Sequence, residues 1–317
     1  MVARSAGEME RLRPAWEHLA RNDPRTLFQS FAWNHLAAQV FADREAPFVV
    51  YAESGNGAAL IPAALARNGS LIVFLGETLF DYRTFLAAGD RAPLEAAWQE
   101  IGKLRQQMWV TSLPETWISG WQAWRPQPFS AAPGVLRDLF TASGFADQHP
   151  RARRLLRRLQ EQGMELRRHS GAETALVRWL LEQKARQLQN EPNNLFSDKR
   201  RIDFLAGALA LDPNAVDIFT LGEGSTVVSG IITLRDRNVR RFYNTYHDER
   251  WARLSPGVAL LYEVTRLSLE EGLDCDYMTG TQPHKMRLAN TSVPLYRVDA
   301  TPEQVAWRAT GETALAA

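Results

Sequence analysis

Runs of apolar residues bounded by Gly/Asn turns mark the chain's strands. Phe48 to Ala52, Ala58 to Leu65 and Leu71 to Leu75 read as three short strands separated by Ser54-Gly55-Asn56-Gly57 and Asn68-Gly69, an antiparallel meander. The pattern returns at Val216 to Leu221, Thr226 to Leu234 and Val239 to Tyr246, with turns at Gly222-Glu223-Gly224 and Asp236-Arg237-Asn238. Helical periodicity precedes each meander, over Pro14 to Ala20 and Phe31 to Val40 in the first case and over Leu176 to Leu188 and Ile202 to Leu209 in the second. Each meander is followed by a helix and a strand: Ala92 to Gln107 then Trp109 to Ser112, and Pro256 to Glu271 then Cys275 to Thr279. In the second of these helices Leu260, Leu261, Val264 and Leu267 share one face, Glu263, Arg266 and Glu270 the other, and Gly272 ends it. An ungapped shift of 167 residues superimposes Gly55 on Gly222, Gly57 on Gly224 and Asp81-Tyr82-Arg83 on Asp248-Glu249-Arg250, which predicts a tandem duplication. The fold class expected is α/β (α+β), two halves, each a mixed, mainly antiparallel sheet flanked by helices. The expected division is residues 1–145, a basic helical connector 146–170, and 171–317.

The most informative turn is Leu254-Ser255-Pro256-Gly257-Val258, which opens the second-half helix directly after a strand. Serine is a good N-cap, proline suits the first helical position, and glycine has no Cβ to hold a ligand off the backbone. Exposed N–H groups and the positive end of the helix dipole make such a start a phosphate site. The first half has Ala92-Pro93-Leu94 there, and a leucine in the glycine's place crowds a phosphate, so the first half reads as a degenerate copy.

Composition narrows the partners. The 317 residues are 45% apolar and 23% charged, enough for two cores, and a net charge of +1 argues against general attraction to DNA. The single cysteine, Cys275, excludes an intramolecular disulfide and a cysteine-built metal site, and a reducing cytoplasm is the expected compartment. The N-terminus lacks an apolar signal core, and no apolar run approaches the roughly 18 residues of a membrane span, so no integral membrane segment is expected. No zinc pattern, Walker loop or G-x-S-x-G elbow is present. The strongest local charge feature is Arg151-Ala152-Arg153-Arg154-Leu155-Leu156-Arg157-Arg158-Leu159, an amphipathic helix joining the halves whose basic face is a candidate dock for an anionic carrier, tRNA or a phosphorylated glycan. Trp109, Trp117, Trp121 and Trp124 sit in a proline-bearing stretch that reads as a long loop packed on the domain seam.

A meander, a fourth strand running into a phosphate-cradling helix N-terminus and a fifth strand beyond it is the order of the GNAT acyltransferase core. More narrowly, Phe80-Asp81-Tyr82-Arg83-Thr84-Phe85-Leu86, the helix with Arg153-Arg154, Tyr243-Asn244-Thr245-Tyr246-His247-Asp248, the LSPGVALL run and Asp276-Tyr277-Met278-Thr279-Gly280 leading to His284-Lys285 resemble the CelD-like branch of tandem-GNAT proteins, related to the FemABX peptidyltransferases. The resemblance spans about Trp16 to Arg297. It implies a degenerate N-terminal GNAT-like domain and a C-terminal GNAT domain holding acetyl-CoA or another acyl-CoA as co-substrate at Leu254, Ser255, Pro256, Gly257 and Val258. The acceptor it implies is an amine or hydroxyl on a small molecule, glycan or peptide in the cleft between halves, with no metal and a candidate setting in envelope polysaccharide metabolism. The chain departs from the pattern in having one glycine where GNAT enzymes carry a glycine-rich loop, and a histidine, His284, where an aromatic residue commonly precedes the lysine.

Within that frame, Tyr243 and Tyr246 are candidate proton donors to the departing thiolate and His247 the candidate base. Asp276 is a candidate base or acceptor anchor, and Lys285 a partner for a phosphate or an acceptor carboxylate. Asp81 and Tyr82, at the first half's equivalent strand exit, are expected to line the acceptor cleft. Two alternatives follow: a FemABX-like transferase drawing on aminoacyl-tRNA, and a noncatalytic GNAT-fold binding protein.

Overall fold

In a computed structural model of the chain, residues 1–21, 26–114, 124–192 and 194–307 are described. Their strands are β1 (Val2–Ala3), β2 (Glu45–Ser54), β3 (Gly57–Ala66), β4 (Leu71–Phe74), β5 (Leu86–Ala88), β6 (Gln107–Pro114), β7 (Trp124–Val135), β8 (Glu165–Ser170), β9 (Val216–Glu223), β10 (Thr226–Asp236), β11 (Val239–His247), β12 (Asp274–Asp276) and β13 (Thr291–Ala300). They belong to two compact units, one comprising Met1–Ser130 with the segment from Pro294 on, the other Ala131–Val293. This differs from the linear division expected at 145 and 170: the chain returns to its first unit at the end.

In the first unit β2 and β3 form a hairpin paired from Glu45↔Ala66 to Ser54↔Gly57, β3 pairs β4 antiparallel, and β4 pairs β6 parallel at Leu71↔Gln107 and Ile72↔Met108. Both faces of this sheet are buried, which is why β3 is apolar almost throughout rather than alternating. Phe48, Val50, Ile61 and Ile72 pack with Trp98 and Ile101 of the helix Ala92–Gly102, while Val49, Leu60 and Ala64 pack with Trp16, Leu19 and Phe31. That helix ends five residues earlier than expected, because Arg105 adopts a left-handed φ of 50° and β6 begins at Gln107.

The second unit repeats the order. Strands β8, β9, β10 and β11 are antiparallel neighbours, and β11 pairs β12 parallel from Val239↔Asp274 to Arg241↔Asp276. β12 in turn pairs the end of β7 at Cys275↔Val135 and Asp276↔Gly134. The helix Pro256–Glu270 buries Ala259, Leu260, Leu261 and Val264 against Phe219, Leu221 and Ile231. The basic helix, Pro150–Glu161, contributes Ala152, Leu156 and Leu159 to the same core, so it is an integral layer of the second unit rather than a connector.

The duplication holds in element order, but not as a constant shift. Each first hairpin turns on two residues, Gly55-Asn56 and Gly224-Ser225, and both glycines are left-handed, at φ 55° and 56°. Turn geometry therefore pairs Gly55 with Gly224 instead of Gly222. Prolines Pro93 and Pro256 open the matching helices. Strands β1, β5, β7, β8 and β13 were not expected; β8 is a sheet-edge strand of sequence ELRRHS whose polar residues give no apolar alternation to read.

Candidate active site

The site begins where two strands part. β11 and β12 are hydrogen-bonded partners up to Arg241 and Asp276; beyond that β11 runs on to His247 beside β10 while β12 ends. The parting is enforced by chemistry. Arg240 is fully buried and its guanidinium donates to Asp217, Glu271 and Ser268, each at 2.9 Å. Its neighbour Arg241, pointing to the other face, pairs with Asp236 at 2.9 Å and with Asp276. Buried arginines demand such counter-charges, so these two pairs fix the last shared register. Past it, the second carboxylate oxygen of Asp276 accepts from Met278 N at 2.8 Å, and Met278 turns left-handed at φ 62°, which ends β12 three residues before Thr279.

A β-bulge sharpens the opening. Ile232 faces Asn244 and Thr233 faces Phe242, so Tyr243 is the extra residue of β11. Bulges re-aim the side chains beyond them and recur beside active sites. Downstream, Tyr246 meets the edge of Trp179 at 5.5 Å between ring centroids, and burial raises its phenol pKa, keeping it protonated at neutral pH.

His247 lies at the mouth of the opening and at the start of the Pro256 helix. A Cβ on Gly257 would sit 3.5 Å from His247 Nδ1, an ordinary van der Waals distance, so the imidazole packs directly on the glycine. The turn itself differs from expectation in two respects. Ser255 is left-handed, at φ 49° and ψ 53°, and its hydroxyl faces back to Ala252 O at 3.5 Å rather than capping a helix N–H. The N–H groups of Val258 and Ala259 both return to Ser255 O, at 3.0 and 3.1 Å. Pro256 has no N–H, so the donor left at this helix start, among the described residues, is that of Gly257. The turn still fits a phosphate: it opens a helix of 15 residues, and the side-chain-free Gly257 leaves its N–H approachable.

Sequence reasoning missed a further group beside His247. Lys184 and Gln187 lie one turn apart on the helix Thr174–Gln187; Lys184 Nζ donates to Gln187 Oε1 at 3.3 Å, and Gln187 Nε2 lies 3.4 Å from both ring nitrogens of His247. Burial lowers the pKa of Lys184, and burial with the Lys184 charge lowers that of His247. His284 is depressed as well, by burial and then by Lys285, Arg287, Lys184 and His247. Lys184 sits in a Glu-Gln-Lys-Ala-Arg-Gln run that reads as a solvated helix face, so only its place in the fold reveals it.

The remaining expected residues divide clearly. Lys285 is half-buried and donates to Thr279 O at 3.0 Å, next to His284. Asp276, a candidate base or acceptor anchor, gives one oxygen to Arg241 and accepts from Met278 N with the other. Tyr82, expected at the acceptor cleft, is packed into the first unit. It is 3% exposed, edge-on to Phe28 at 6.1 Å. Asp81 beside it is half-buried in the first unit. Trp117 and Trp121 lie outside the described residues, whereas Trp109 carries the Arg297 guanidinium 5.0 Å over its ring. Cys275 is buried on β12, and burial pushes its thiol up to about 12, which leaves it unreactive.

A meander, a bulged fourth strand, a helix that opens on a glycine and a short parallel fifth strand that splays from the fourth define a GNAT-type acyltransferase core. Residues 146–286 match the family model described as the acetyltransferase (GNAT) domain, so the second unit is a GNAT domain. The whole chain has the tandem form of that fold. It is similar to FemX, with TM-score 0.57 and 10% identity over 92% of this chain and 96% of that one. It is also similar to L-PGS from Bacillus licheniformis, TM-score 0.54 and 12% identity over 88% and 90% of the two chains. A tandem GNAT protein from the clavulanic acid biosynthesis pathway aligns with TM-score 0.51 and 11% identity over 94% and 97%. No curated protein matches the chain. Among the described residues no helix is long and apolar enough to cross a membrane.

Proposed function

We propose that the protein transfers an acyl group, in the first instance acetyl, from an acyl-CoA to an amine. One observation carries this reading: Gly257, at the start of a 15-residue helix, directly adjoins His247 at the splay of β11 and β12. The donor's phosphates take the Gly257 N–H and helix dipole, which lays its thioester toward the bulge at Tyr243. His247, neutral at physiological pH because its pKa is lowered, accepts the proton of the attacking nitrogen. The C–N bond forms, the C–S bond breaks, and Tyr246 or Tyr243 gives its phenol proton to the departing thiolate, regained from solvent as the imidazolium discharges. The products are an amide and free CoA thiol.

A second reading, an aminoacyl-tRNA donor, is favoured by the basic helix. Arg151, Arg153, Arg154, Arg157 and Arg158 are exposed, and the helix packs beside Glu249–Leu254, which carries exposed Arg250 and Arg253. Envelope polysaccharide chemistry and a hydroxyl acceptor belong to the same proposal at lower resolution. The test is thiol release from acetyl-CoA across an amine panel, in parallel with transfer from charged tRNA. Acetyl-CoA turnover whose acid limb lies below pH 6.5 and vanishes in His247→Gln supports the first reading; transfer from tRNA alone replaces it with the second.

A further inference from the structure

A half-buried lysine without an acidic partner is costly, and the second unit sets two imidazoles in the field of one. Lys184 takes part in no ion pair among the described residues, and its ammonium donates to the neutral amide of Gln187 at 3.3 Å. Gln187 bridges to His247 at 3.4 Å, His284 lies within the field of both Lys184 and His247, and Lys184, His247 and His284 are all half-buried. The charges acting on His284 are Lys285, Arg287, Lys184 and His247, without a carboxylate among them. His247 also feels Asp248 and Glu249, but Asp248 is bound to Arg250 at 2.6 Å and Glu249 faces solvent. A half-buried ammonium that also holds two neighbouring imidazoles neutral is a cost to the fold, relieved when an anion enters.

Resting on the acyltransfer reading above, we infer that Lys184, Gln187 and His247, with His284 in the field of Lys184, form the receptor for an oxyanion carried by the acceptor, a carboxylate or a phosphate set close to the nucleophilic amine. Helix Pro256–Glu270 offers the donor its own anion site at Gly257, which leaves this cluster for the other substrate. A bare polyamine is repelled by it. A zwitterionic acceptor is not: its oxyanion neutralises Lys184 while its amine is held beside His247, where the cationic surroundings favour the deprotonated, nucleophilic form.

The test follows ring protons of the six histidines by NMR in the full-length protein, titrating pH with glycine, glycinamide, O-phosphoethanolamine or ethanolamine at millimolar concentration. Glycine or phosphoethanolamine should raise the apparent pKa of His284 and His247 by about half to one unit. The uncharged-tail amines should leave both unchanged, and the exposed ring of His18 serves as reference. Whichever of the two zwitterions acts identifies the oxyanion as carboxylate or phosphate. In Lys184→Met the response should vanish, and in Lys184→Arg it should return, which separates loss of charge from loss of fold. CoA titrated into the same samples keeps the two proposals apart: CoA binding with no discrimination among the amines overturns the oxyanion receptor and leaves the donor reading standing. If CoA itself shifts His284, and does so only with Lys184 present, the cluster belongs to the donor and the inference fails.

Discussion

The two units carry the same parallel strand pair and use it in opposite ways. In the second, β11 and β12 part after Arg241 and Asp276, and the opening collects Tyr243, Tyr246, His247, Lys184 and His284. In the first, β4 and β6 share Leu71↔Gln107 and Ile72↔Met108, and the chain that follows β4 occupies the space beyond. Arg83 N donates to Ser112 O at 3.1 Å and the Arg83 guanidinium to Thr111 Oγ1 at 3.0 Å, which stitches that segment to β6. Phe80 and Tyr82, 2% and 3% exposed, pack it down with Phe28. The segment starts from Gly76, left-handed at φ 102°, where a Cβ would fall 2.5 Å from the Phe80 ring. One unit thus has parted strands and a glycine at its helix start, whereas the other fills its splay with its own aromatic residues and has Leu94 after the proline.

The contrast is breakable at each point. The largest effect is expected from Arg241→Met, which removes the guanidinium that Asp236 and Asp276 share; deleting one partner of such a buried ion pair costs about 3–5 kcal/mol, read as a lower urea midpoint. An unchanged midpoint would mean that the splay is not held by charge. Tyr82→Ala, which empties the first unit's plug, should cost about 3 kcal/mol while leaving CoA affinity within twofold. A comparable loss of CoA affinity would show that the filled splay still serves the donor.

A pH effect comes next. Glu45 accepts from Gly76 N and Glu77 N at 3.1 and 2.9 Å and so anchors the start of the plug, but burial raises its pKa from 4.5 to about 7. A carboxyl whose folded pKa is raised stabilises fully below pH 4.5, and that contribution is lost as pH climbs to 7. Urea midpoints at pH 5 and pH 8 should therefore differ by about 2 kcal/mol on account of this group, and Glu45→Gln should remove the difference. The smallest effect belongs to Gly257→Ala. Its new methyl meets His247 at ordinary contact distance, so stability should move by less than about 0.5 kcal/mol, and a larger drop in melting temperature would place the ring closer than described.

Much of this was legible in the residues. The two meanders, the helix at Phe31–Val40 and the helix opening at Pro256 follow from apolar period and turn residues, whose physics is local. The polar edge strand β8 was not, because a sheet edge can be satisfied by residues that look like loop. In the site, Gly257 and His247 were readable because they flank one turn. The ion pair of Asp276 was not readable because it depends on Arg241, thirty-five residues upstream, nor was the burial of Tyr82, which is set by Phe28 and Phe80. Lys184 left no signal at all: its meaning comes from the histidines that the fold brings to it.

The central claim is that one unit binds an acyl donor and the other does not, which calorimetric titration of acetyl-CoA into wild type and Gly257→Glu measures directly. The account predicts one site per chain in the wild type and none in the variant, whereas two sites per chain, undiminished binding by Gly257→Glu, or no binding by the wild type would contradict it.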